Sequence, residues 1–421
     1  YKKKKNFAQA KAIRFHSHSP LRTEPMCNHF GVCGGCKWQN MNYQSQLTYK
    51  QKQVRDNLER IAKADCSKMM SILPSAIQKE YRNKLEFTFS TKSWKQDYDK
   101  DAIDNGAFGF HVPGFFDKVL EIDYCALQSE PSNAIRNHLR DYCTAKSLPY
   151  YNIREHSGLM RNLIVRTSTT GDVMVIVVFA QRSEEIVPLL ENLRENFPQI
   201  TSLMYCINEK FNDTLGDQDI KCFAGKDHIE ERMTSFDGKG ELRFKIRPKT
   251  FYQTNSLQAE KLYHQAAEFA GITKDDIVYD LYTGCGTIAN YVASLSKKVV
   301  GIEYVEDAVE DARLNSEFNN INNTTFFAGD MAKILTEEFI EQNGRPDVII
   351  TDPPRAGMAE SVINQLLATK ARKIVYISCN PATQARDLVL LQSKYAVGRI
   401  RPVDMFPHTQ HVENIVELIL K

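Results

Sequence analysis

Four short apolar runs in the second half of the chain constrain its fold more than any other feature. They are DIVYDLY (276–282), KKVVGIEY (297–304), PDVIITD (346–352) and RKIVYIS (372–378), and helix-length segments separate them. Continuous apolar runs of this length are typical of strands buried on both faces, and their alternation with helices indicates a doubly wound, mostly parallel sheet. AVGRIRPVDMF and VENIVELIL predict two further strands. We therefore predict a Rossmann-like α/β domain over residues 241–421.

The residues before 241 have a different pattern. Alternating runs such as KLEFTFS and DVMVIVVFA predict a mainly β, α+β central domain over residues 26–240. A helix predicted at 41–64 is a candidate to pack on the C-terminal domain instead. Residues 1–25 are interpreted as a basic strand and a linker.

Composition excludes several classes of protein. The chain has 421 residues, of which 42% are hydrophobic and 25% charged, and no apolar run approaches the ~18 residues of a membrane span. We therefore expect no membrane association. Ten cysteines in a chain of this length do not form the dense framework of a small secreted domain. This favours a cytoplasmic location, where clustered cysteines more often bind metal or act in catalysis.

Charge is distributed unevenly along the chain. Residues 1–55 contain eleven Lys and Arg and one acidic residue, whereas the whole chain has a net charge of only +2. A basic arm on a mildly acidic body predicts a polyanionic partner such as RNA or DNA, although a solvated lysine tail has the same composition. Nothing in the sequence indicates an obligate protein partner.

A glycine-rich turn follows the first C-terminal strand. YDLYTGCGTIA places Asp280 at the strand end, followed by Gly284, Gly286 and Ala289, and Glu303 closes the next strand. Glycines let the backbone turn tightly and approach a ligand, while the helix start offers free N–H groups. The pattern predicts a ligand that contains adenosine, and it fits a dinucleotide almost as well as S-adenosylmethionine.

Polar residues also end the later strands. Asp330, Asp352 and Cys379 each follow an apolar run, and the carboxyl ends of parallel strands open into one crevice. Asp-Pro-Pro recurs in enzymes that methylate exocyclic amines, but an aromatic residue usually follows it there. Arg355 in this position weakens that interpretation.

Cys379 lies where a strand ends and a helix begins. Asn380 is a favoured N-cap and Pro381 a favoured first helical residue. Because a helix N-terminus favours an anion, we expect the pKa of the thiol to be lowered and Cys379 to be a nucleophile. Glu413, in DMFPHTQHVENIVEL, is a candidate general base near the same sheet edge.

A second group of cysteines predicts a metal site. Cys27, Cys33 and Cys36 have the spacing C-x5-C-x2-C on a glycine-rich loop. From spacing alone zinc is a good candidate, with His29 as a possible fourth ligand. The remaining cysteines outside the candidate sites are interpreted as packing residues, namely Cys66, Cys143, Cys206, Cys222 and Cys285.

Five motifs resemble, in order, the RNA uracil-5-methyltransferases that use S-adenosylmethionine. They are FYQTN (251–255), DLYTGCGT (280–287), DPPRAG (352–357), SCNPATQARDL (378–388) and DMFPHTQHVE (404–413). EYRNKLEF, NLIVRTS and CNHFGVCGGC extend the similarity over nearly the whole chain. The combination resembles the iron–sulfur branch, whose bacterial members modify 23S ribosomal RNA.

The resemblance implies roles for individual residues. Cys379 would add to C6 of uracil, which makes C5 nucleophilic toward the methyl group, and Glu413 would remove the C5 proton. The target base would leave its stack to reach the site. The residues implied in the cofactor pocket are Gln253, Tyr282, Glu303, Asp330 and Asp352.

The same resemblance implies a [4Fe–4S] cluster with Cys125 as fourth ligand beside Cys27, Cys33 and Cys36. Ala126 follows Cys125 where the family commonly has proline. Relatives carry an N-terminal β-barrel that binds RNA, and a strand around Lys2 to Phe15 is the expected remnant of it. The alternatives are the same chemistry on tRNA, a non-catalytic RNA-binding factor, and a dinucleotide oxidoreductase.

Overall fold

The computed structural model describes residues 2–3, 8–10, 12–95 and 106–421. Two seven-stranded sheets dominate this described part of the chain. The strands are β1 (Lys2–Lys3), β2 (Ala8–Gln9), β3 (Lys84–Ser90), β4 (Ala107–His111), β5 (Val119–Glu121), β6 (Met160–Thr167), β7 (Val173–Phe179), β8 (Ser202–Ile207), β9 (Ile220–Gly225), β10 (Ile229–Thr234), β11 (Glu241–Ile246), β12 (Ile277–Leu281), β13 (Lys298–Glu303), β14 (Thr324–Ala328), β15 (Val348–Thr351), β16 (Lys373–Ser378), β17 (Tyr395–Val403) and β18 (Glu413–Leu420). The helices are α1 (Tyr43–Asn57), α2 (Ser132–Ala145), α3 (Ile186–Asn196), α4 (Ser256–Ala270), α5 (Thr287–Ala293), α6 (Glu306–Phe318), α7 (Met331–Ile334), α8 (Glu337–Asn343), α9 (Glu360–Thr369) and α10 (Pro381–Leu391).

The C-terminal sheet has the strand order β14-β13-β12-β15-β16-β18-β17. Its first five strands are parallel, whereas β18 runs antiparallel to both β16 and β17. Neighbouring residues on one strand enter different apolar clusters: Val278 belongs to one and Tyr279 to the other. Both faces are therefore buried, which explains why these strands are apolar without alternation. The predicted α/β fold is confirmed, and the sheet is mixed at one edge.

The central sheet has the order β5-β4-β3-β6-β7-β8-β9 and is antiparallel except for the β7–β8 pair, which α3 connects. Every residue of β7 is buried. Val175 and Val177 face a cluster that includes residues of α2 and α3, whereas Met174 and Ile176 enter a cluster shared with the C-terminal sheet. The two sheets are thus joined by one hydrophobic core.

A hairpin and a helix connect the two halves further. β10 pairs with β11, and Met233 and Phe244 of this hairpin pack in the shared core. The division predicted at residue 240 falls inside the hairpin. Helix α1, continued by a π-helical turn at Leu58–Ala62, buries Leu47 and Val54 against the C-terminal sheet and α10.

The N-terminal segment lies only partly within the described residues. β1 and β2 pair as a two-residue antiparallel ladder. The predicted strand from Lys2 to Phe15 also includes residues 4–7 and 11, which lie outside the described part, so the barrel remnant stays a prediction. Among the described residues, none of the helices combines the length and apolar character needed to cross a membrane.

Candidate active site

Cys379 lies at the junction between β16 and α10, as predicted. The side-chain oxygen of Asn380 accepts a hydrogen bond from the Ala382 N–H at 3.2 Å, and Pro381 is the first helical residue. Gln384, one turn further on, donates to the Tyr376 carbonyl at 2.9 Å and so ties the helix to the strand. The thiol is half-buried at this rigid junction.

The antiparallel strand β18 brings Glu413 to the thiol. Its antiparallel register pairs Ser378 with Asn414. One residue further, Cys379 therefore lies beside Glu413. Glu413 is only 4% exposed, which excludes the surface glutamate that this sequence position would most often hold. Asn414 donates to the Gln384 side chain at 2.7 Å, so the register is held by a buried hydrogen bond.

The charges around the pair are mainly acidic. Burial and the neighbouring carboxylates of Glu413 and Asp352 raise the pKa of Cys379 to about 11, and Arg355 acts in the opposite direction. Burial and Asp352 hold the pKa of Glu413 well above its usual range. Burial and Asp280 raise the pKa of Asp352 to about 7.

The expected lowering of the Cys379 pKa is therefore wrong. The helix N-terminus is present, but burial and two nearby acids outweigh it. A helix dipole changes such an equilibrium by roughly 0.3–1 kcal/mol, whereas desolvation of a buried group shifts a pKa by up to several units. Burial and the neighbouring carboxylates thus favour the protonated forms of both the Cys379 thiol and the Glu413 carboxyl.

The glycine-rich turn after β12 is built as predicted. Gly284 and Gly286 have φ of 54° and 79°, and Gly286 caps α5. The Asp280 carboxylate accepts from the Ala289 N–H at 2.9 Å and from the Thr283 hydroxyl at 2.5 Å, which closes the turn. The other Asp280 oxygen is buried without a partner among the described residues.

The predicted cofactor residues lie along the carboxyl ends of neighbouring strands. Tyr282 follows β12 with φ of 64°, and Glu303 ends β13 and accepts from the Gly284 N–H at 3.1 Å. Asp330 follows β14 and caps α7, and Asp352 follows β15. The structure thus brings these four to one edge of the sheet.

One large cavity, of about 890 Å³, connects the two predicted sites. Its walls include Cys379, Glu413 and Gln253, together with all four cysteines of the predicted cluster. Tyr282, Glu303, Asp330 and Asp352 are not part of these walls. The nucleophile and the cysteine group therefore face the same space, which the sequence did not predict.

The four cysteines are close to one another. Burial, together with Cys125, Cys33 and Cys27, raises the pKa of the Cys36 thiol to about 12, despite a hydrogen bond with Gln39. Within the ranges that the structure describes, no group of three or more His, Cys, Asp and Glu side chains is arranged to hold a metal ion.

The structure also bears on His29 as a possible zinc ligand and on the cysteines that are predicted to be packing residues. His29, the fourth ligand considered for zinc, accepts the Asp123 N–H at Nε2 with a distance of 3.3 Å. Cys222 was interpreted as a packing residue, and this is wrong: it is exposed on β9. Cys66, Cys143, Cys206 and Cys285 are buried, as packing residues should be.

Sequence reasoning missed the loop at residues 404–411, which connects β17 to β18 and leads into Glu413. Its Phe406, Thr409 and His411 line the cavity, and an Arg355 guanidinium nitrogen lies 3.3 Å from His411 Nδ1. Distant segments bind its carbonyls. The donors are Asn255 to Met405 O (2.9 Å), Lys50 to Phe406 O (2.9 Å), Tyr81 to Pro407 O (3.0 Å), and the N–H groups of Lys37 and Trp38 to His408 O (2.8 and 2.9 Å).

These bonds hold a strained backbone. His408 has φ of 67°, a left-handed conformation that is uncommon outside glycine. In the sequence, the motif DMFPHTQHVE is the one sign of this loop. Its hydrogen-bond partners lie more than 140 residues away along the chain and so cannot be recognised from the sequence.

Comparisons with known proteins agree with this arrangement. Residues 216–421 match the model of the tRNA (uracil-5-)-methyltransferase family. An uncharacterized RNA methyltransferase of Bacteroides thetaiotaomicron is 54% identical over 100% of this chain and 93% of the relative, and one of Chlorobaculum tepidum is 39% identical over 99% and 87%. This chain belongs to the RNA uracil-5-methyltransferase family.

A solved structure supports the fold over nearly the whole length. The Pyrococcus abyssi tRNA (uracil-54, C5)-methyltransferase in complex with S-adenosyl-L-homocysteine superposes with a TM-score of 0.74 at 28% identity, covering 96% of this chain and 88% of that one. The predicted membership of an RNA methyltransferase family is therefore confirmed. The S-adenosyl-L-homocysteine bound to the Pyrococcus abyssi enzyme agrees with the predicted methyl donor.

Proposed function

We propose that this uracil-5-methyltransferase transfers a methyl group to C5 of a specific uridine through a covalent bond between Cys379 and C6 of the base. The observation that supports this most directly is the register of β16 and β18, which places Cys379 beside the buried Glu413. A nucleophile and a base that act on adjacent ring atoms need this proximity.

The steps follow from the two side chains. Cys379 loses its proton, Sγ bonds to C6, and the C5=C6 electron pair moves toward the C4 carbonyl, so that C5 becomes nucleophilic. S-adenosylmethionine, when bound, supplies the methyl group on a positively charged sulfonium. After C5 has taken the methyl group, ionised Glu413 removes the C5 proton, the C5=C6 bond re-forms and the Sγ–C6 bond breaks. One proton is released for each methyl group transferred.

The raised pKa values of Cys379 and Glu413 oppose the ionised forms that the mechanism needs. Cys379 has to become a thiolate and Glu413 a carboxylate, although burial and the neighbouring acids favour their protonated forms. Positive charge near the pair favours both ionised forms, and Arg355 already acts in this direction. We infer that reactivity develops only when the site is filled, which limits side reactions of the thiol.

The test is mass spectrometry of Glu413→Gln mixed with unmodified RNA and S-adenosylmethionine. We expect this variant to stop after methyl transfer, with the RNA bound covalently to Cys379, because no carboxylate is present to remove the C5 proton. The Cys379→Ala/Glu413→Gln double variant is the control and should form no adduct. Full turnover by Cys379→Ala would show that the covalent mechanism is wrong.

We propose 23S rRNA as the RNA, on the basis of the resemblance of the N-terminal motifs to the cluster-bearing branch. tRNA is the alternative, which the name of the matching family and of the Pyrococcus abyssi enzyme favours. Labelled methyl transfer to unmodified transcripts of each decides between them. If wild type labels neither, the protein is better described as an RNA-binding factor.

We also propose that Cys27, Cys33, Cys36 and Cys125 hold a [4Fe–4S] cluster. The support is their common position on one cavity wall, and four thiolates are the ligand set that such clusters use. Anaerobic purification should give about four iron and four sulfide per chain, with a broad visible absorption. Zinc at about one per chain without sulfide would contradict the cluster.

A cytoplasmic location and an RNA-binding role for the N-terminal arm stay predictions from the sequence.

A further inference from the structure

Two positive charges face each other on the wall of the cavity. Lys84 on β3 is the direct antiparallel neighbour of Arg166 on β6, and both line the space that holds Cys379. Like charges directly opposite one another on neighbouring strands destabilise a sheet. Such a pair therefore needs a counter-charge. Because the pair destabilises the sheet, its presence suggests a function.

The two side chains differ in their partners. The Arg166 guanidinium is 4% exposed and donates to the carbonyls of Arg247 and Thr250 at 2.9 and 2.7 Å. For Lys84 Nζ, the described parts of the chain provide neither a hydrogen bond nor an ion pair. Burial and Arg166 lower the pKa of this ammonium, although Glu86 acts in the opposite direction. Lys84 is thus a half-buried cation on the cavity wall, and its three ammonium donors lack a partner among the described residues.

The backbone that carries Lys84 is fixed. The Asn83 N–H donates to the Thr254 carbonyl at 2.7 Å, and the Asn83 side chain donates to the carbonyl of Gln253 at 2.9 Å and to the Ser256 hydroxyl at 2.8 Å. The cation is therefore held beside the segment that contains Gln253. A group positioned in this way loses little entropy when it binds a ligand.

More cations than anions surround this position. Arg82 and Lys249 line the same cavity, as does Arg355. The acidic residues on these walls are Glu86 and Glu413, and burial raises the pKa of both carboxyls. The cavity is accordingly suited to an anion that enters together with the reacting base.

We propose that Lys84, with Arg82 and Lys249, forms a subsite for a backbone phosphate of the RNA next to the target uridine. The inference rests on the proposed function, because it assumes that the cavity receives a nucleotide. A phosphate offers several acceptor oxygens to the ammonium and supplies the negative charge that Lys84 and Arg166 lack. The carboxylate of the methyl donor is the other anion with this chemistry, and the experiment separates the two.

The experiment compares Lys84→Gln with Lys84→Arg and with Lys221→Gln, an exposed lysine on β9 outside the cavity. Unmodified 23S rRNA and tRNA transcripts are titrated against each variant from 50 to about 300 mM salt, and S-adenosylmethionine is titrated separately. We expect Lys84→Gln to bind the transcript that is methylated about tenfold more weakly, and its salt slope to fall by roughly 0.7–0.9. Lys84→Arg should retain most of the affinity, and Lys221→Gln should behave as wild type.

Thermal unfolding adds a second readout. Removal of the like charge opposite Arg166 should leave Tm unchanged or raise it, so a loss of RNA affinity cannot come from unfolding. Unchanged RNA affinity and salt slope in Lys84→Gln would overturn the subsite. So would weaker binding of S-adenosylmethionine with normal RNA binding, which would assign Lys84 to the donor carboxylate. Failure of wild type to methylate either transcript would instead contradict the proposed function, while the titrations would still decide the subsite.

Discussion

At the scale of single residues, the reactivity of Cys379 depends on the charges that surround it. Glu413 and Asp352 oppose its ionisation, and Arg355 is the cation that favours it. The same guanidinium favours the ionised form of Glu413. Arg355 is therefore in a position to adjust the two groups that the proposed mechanism uses, both of which must be deprotonated.

Arg355→Gln should shift the pH profile of kcat/KM to higher pH. The pKa values of Cys379 and Glu413 are already raised, so the rate should increase with pH through the neutral range, and loss of the cation raises both values further. Each unit of upward shift lowers the rate at a fixed neutral pH about tenfold. Labelled methyl transfer between pH 6 and about 10 measures the profile. Arg355→Lys should stay close to wild type, and an unshifted Arg355→Gln profile would show that Arg355 has no such role.

The identities of Cys379 and Glu413 were predictable from the sequence because a strand end, an N-cap and a specific motif coincide there. Their protonation was not predictable. It depends on burial and on Asp352 and Glu413, which become neighbours of the thiol only through the sheet order and the antiparallel direction of β18. Apolar composition predicts a buried strand, but it does not give the strand's direction.

At the scale of elements, the two glycines of the turn after β12 serve different purposes. A Cβ on Gly286 would lie 2.9 Å from the Ala312 Cβ on α6, whereas a Cβ on Gly284 would meet nothing within 4 Å. Gly286 thus permits two helices to approach, and Gly284 borders open space where the glycine-rich turn is predicted to meet the cofactor.

Gly286→Ala should lower Tm, since it combines a left-handed φ with a clash that α5 and α6 must relieve. Gly284→Ala has the smaller backbone cost of roughly 1–2 kcal/mol, and its larger effect should be on ligand affinity. We expect the Kd of S-adenosylmethionine to increase at least about tenfold in Gly284→Ala, because a methyl group would occupy the approach path. Calorimetric titration and thermal unfolding of both variants measure this. Equal losses of affinity and stability in the two would contradict the division of roles.

Helix α1 stabilises the loop at 404–411 through a buried ion pair. Lys50 Nζ lies 2.5 Å from an Asp404 oxygen, and both side chains are fully buried. Among the described residues, Lys50→Met leaves the Tyr43 hydroxyl as the sole side-chain partner of the buried Asp404 carboxylate, so we expect it to destabilise the protein by about 3–5 kcal/mol. Lys50→Met/Asp404→Leu should recover much of this loss. Urea unfolding measures both, together with kcat.

Lys52→Met on the same helix is the matched control. Lys52 pairs with Asp56 but is 58% exposed, and an exposed pair of this kind contributes little to stability. A similar loss in Lys50→Met and Lys52→Met would show that the loop does not depend on the buried pair. The helix itself was predictable from its sequence, but Lys50 was not distinguishable from Lys52 because both read as surface lysines of an amphipathic helix.

At the scale of the whole molecule, backbone hydrogen bonds join the cysteine-rich segment, residues 26–40, to the loop at 404–411. The N–H groups of Lys37 and Trp38, directly after Cys36, donate to the His408 carbonyl, and His408 is held in a left-handed conformation. The loop continues into β18 and Glu413. The position of Glu413 should therefore depend on the order of the cysteine-rich segment, and this segment has little regular structure of its own to keep it ordered.

Cys36→Ser tests this dependence. Loss of one ligand of the proposed cluster should loosen residues 37–38 and with them His408, so we expect kcat to fall roughly tenfold to a hundredfold, as small misplacements of reacting groups do. The Kd of S-adenosylmethionine should stay within about twofold of wild type, because Glu303, Asp330 and Asp352 lie outside the cavity walls. Hydrogen exchange should become faster at residues 404–412. Cys222→Ser, which changes an exposed cysteine on β9, is the control and should alter none of these quantities. Normal kcat in Cys36→Ser would show that Cys36 does not help to position Cys379 and Glu413.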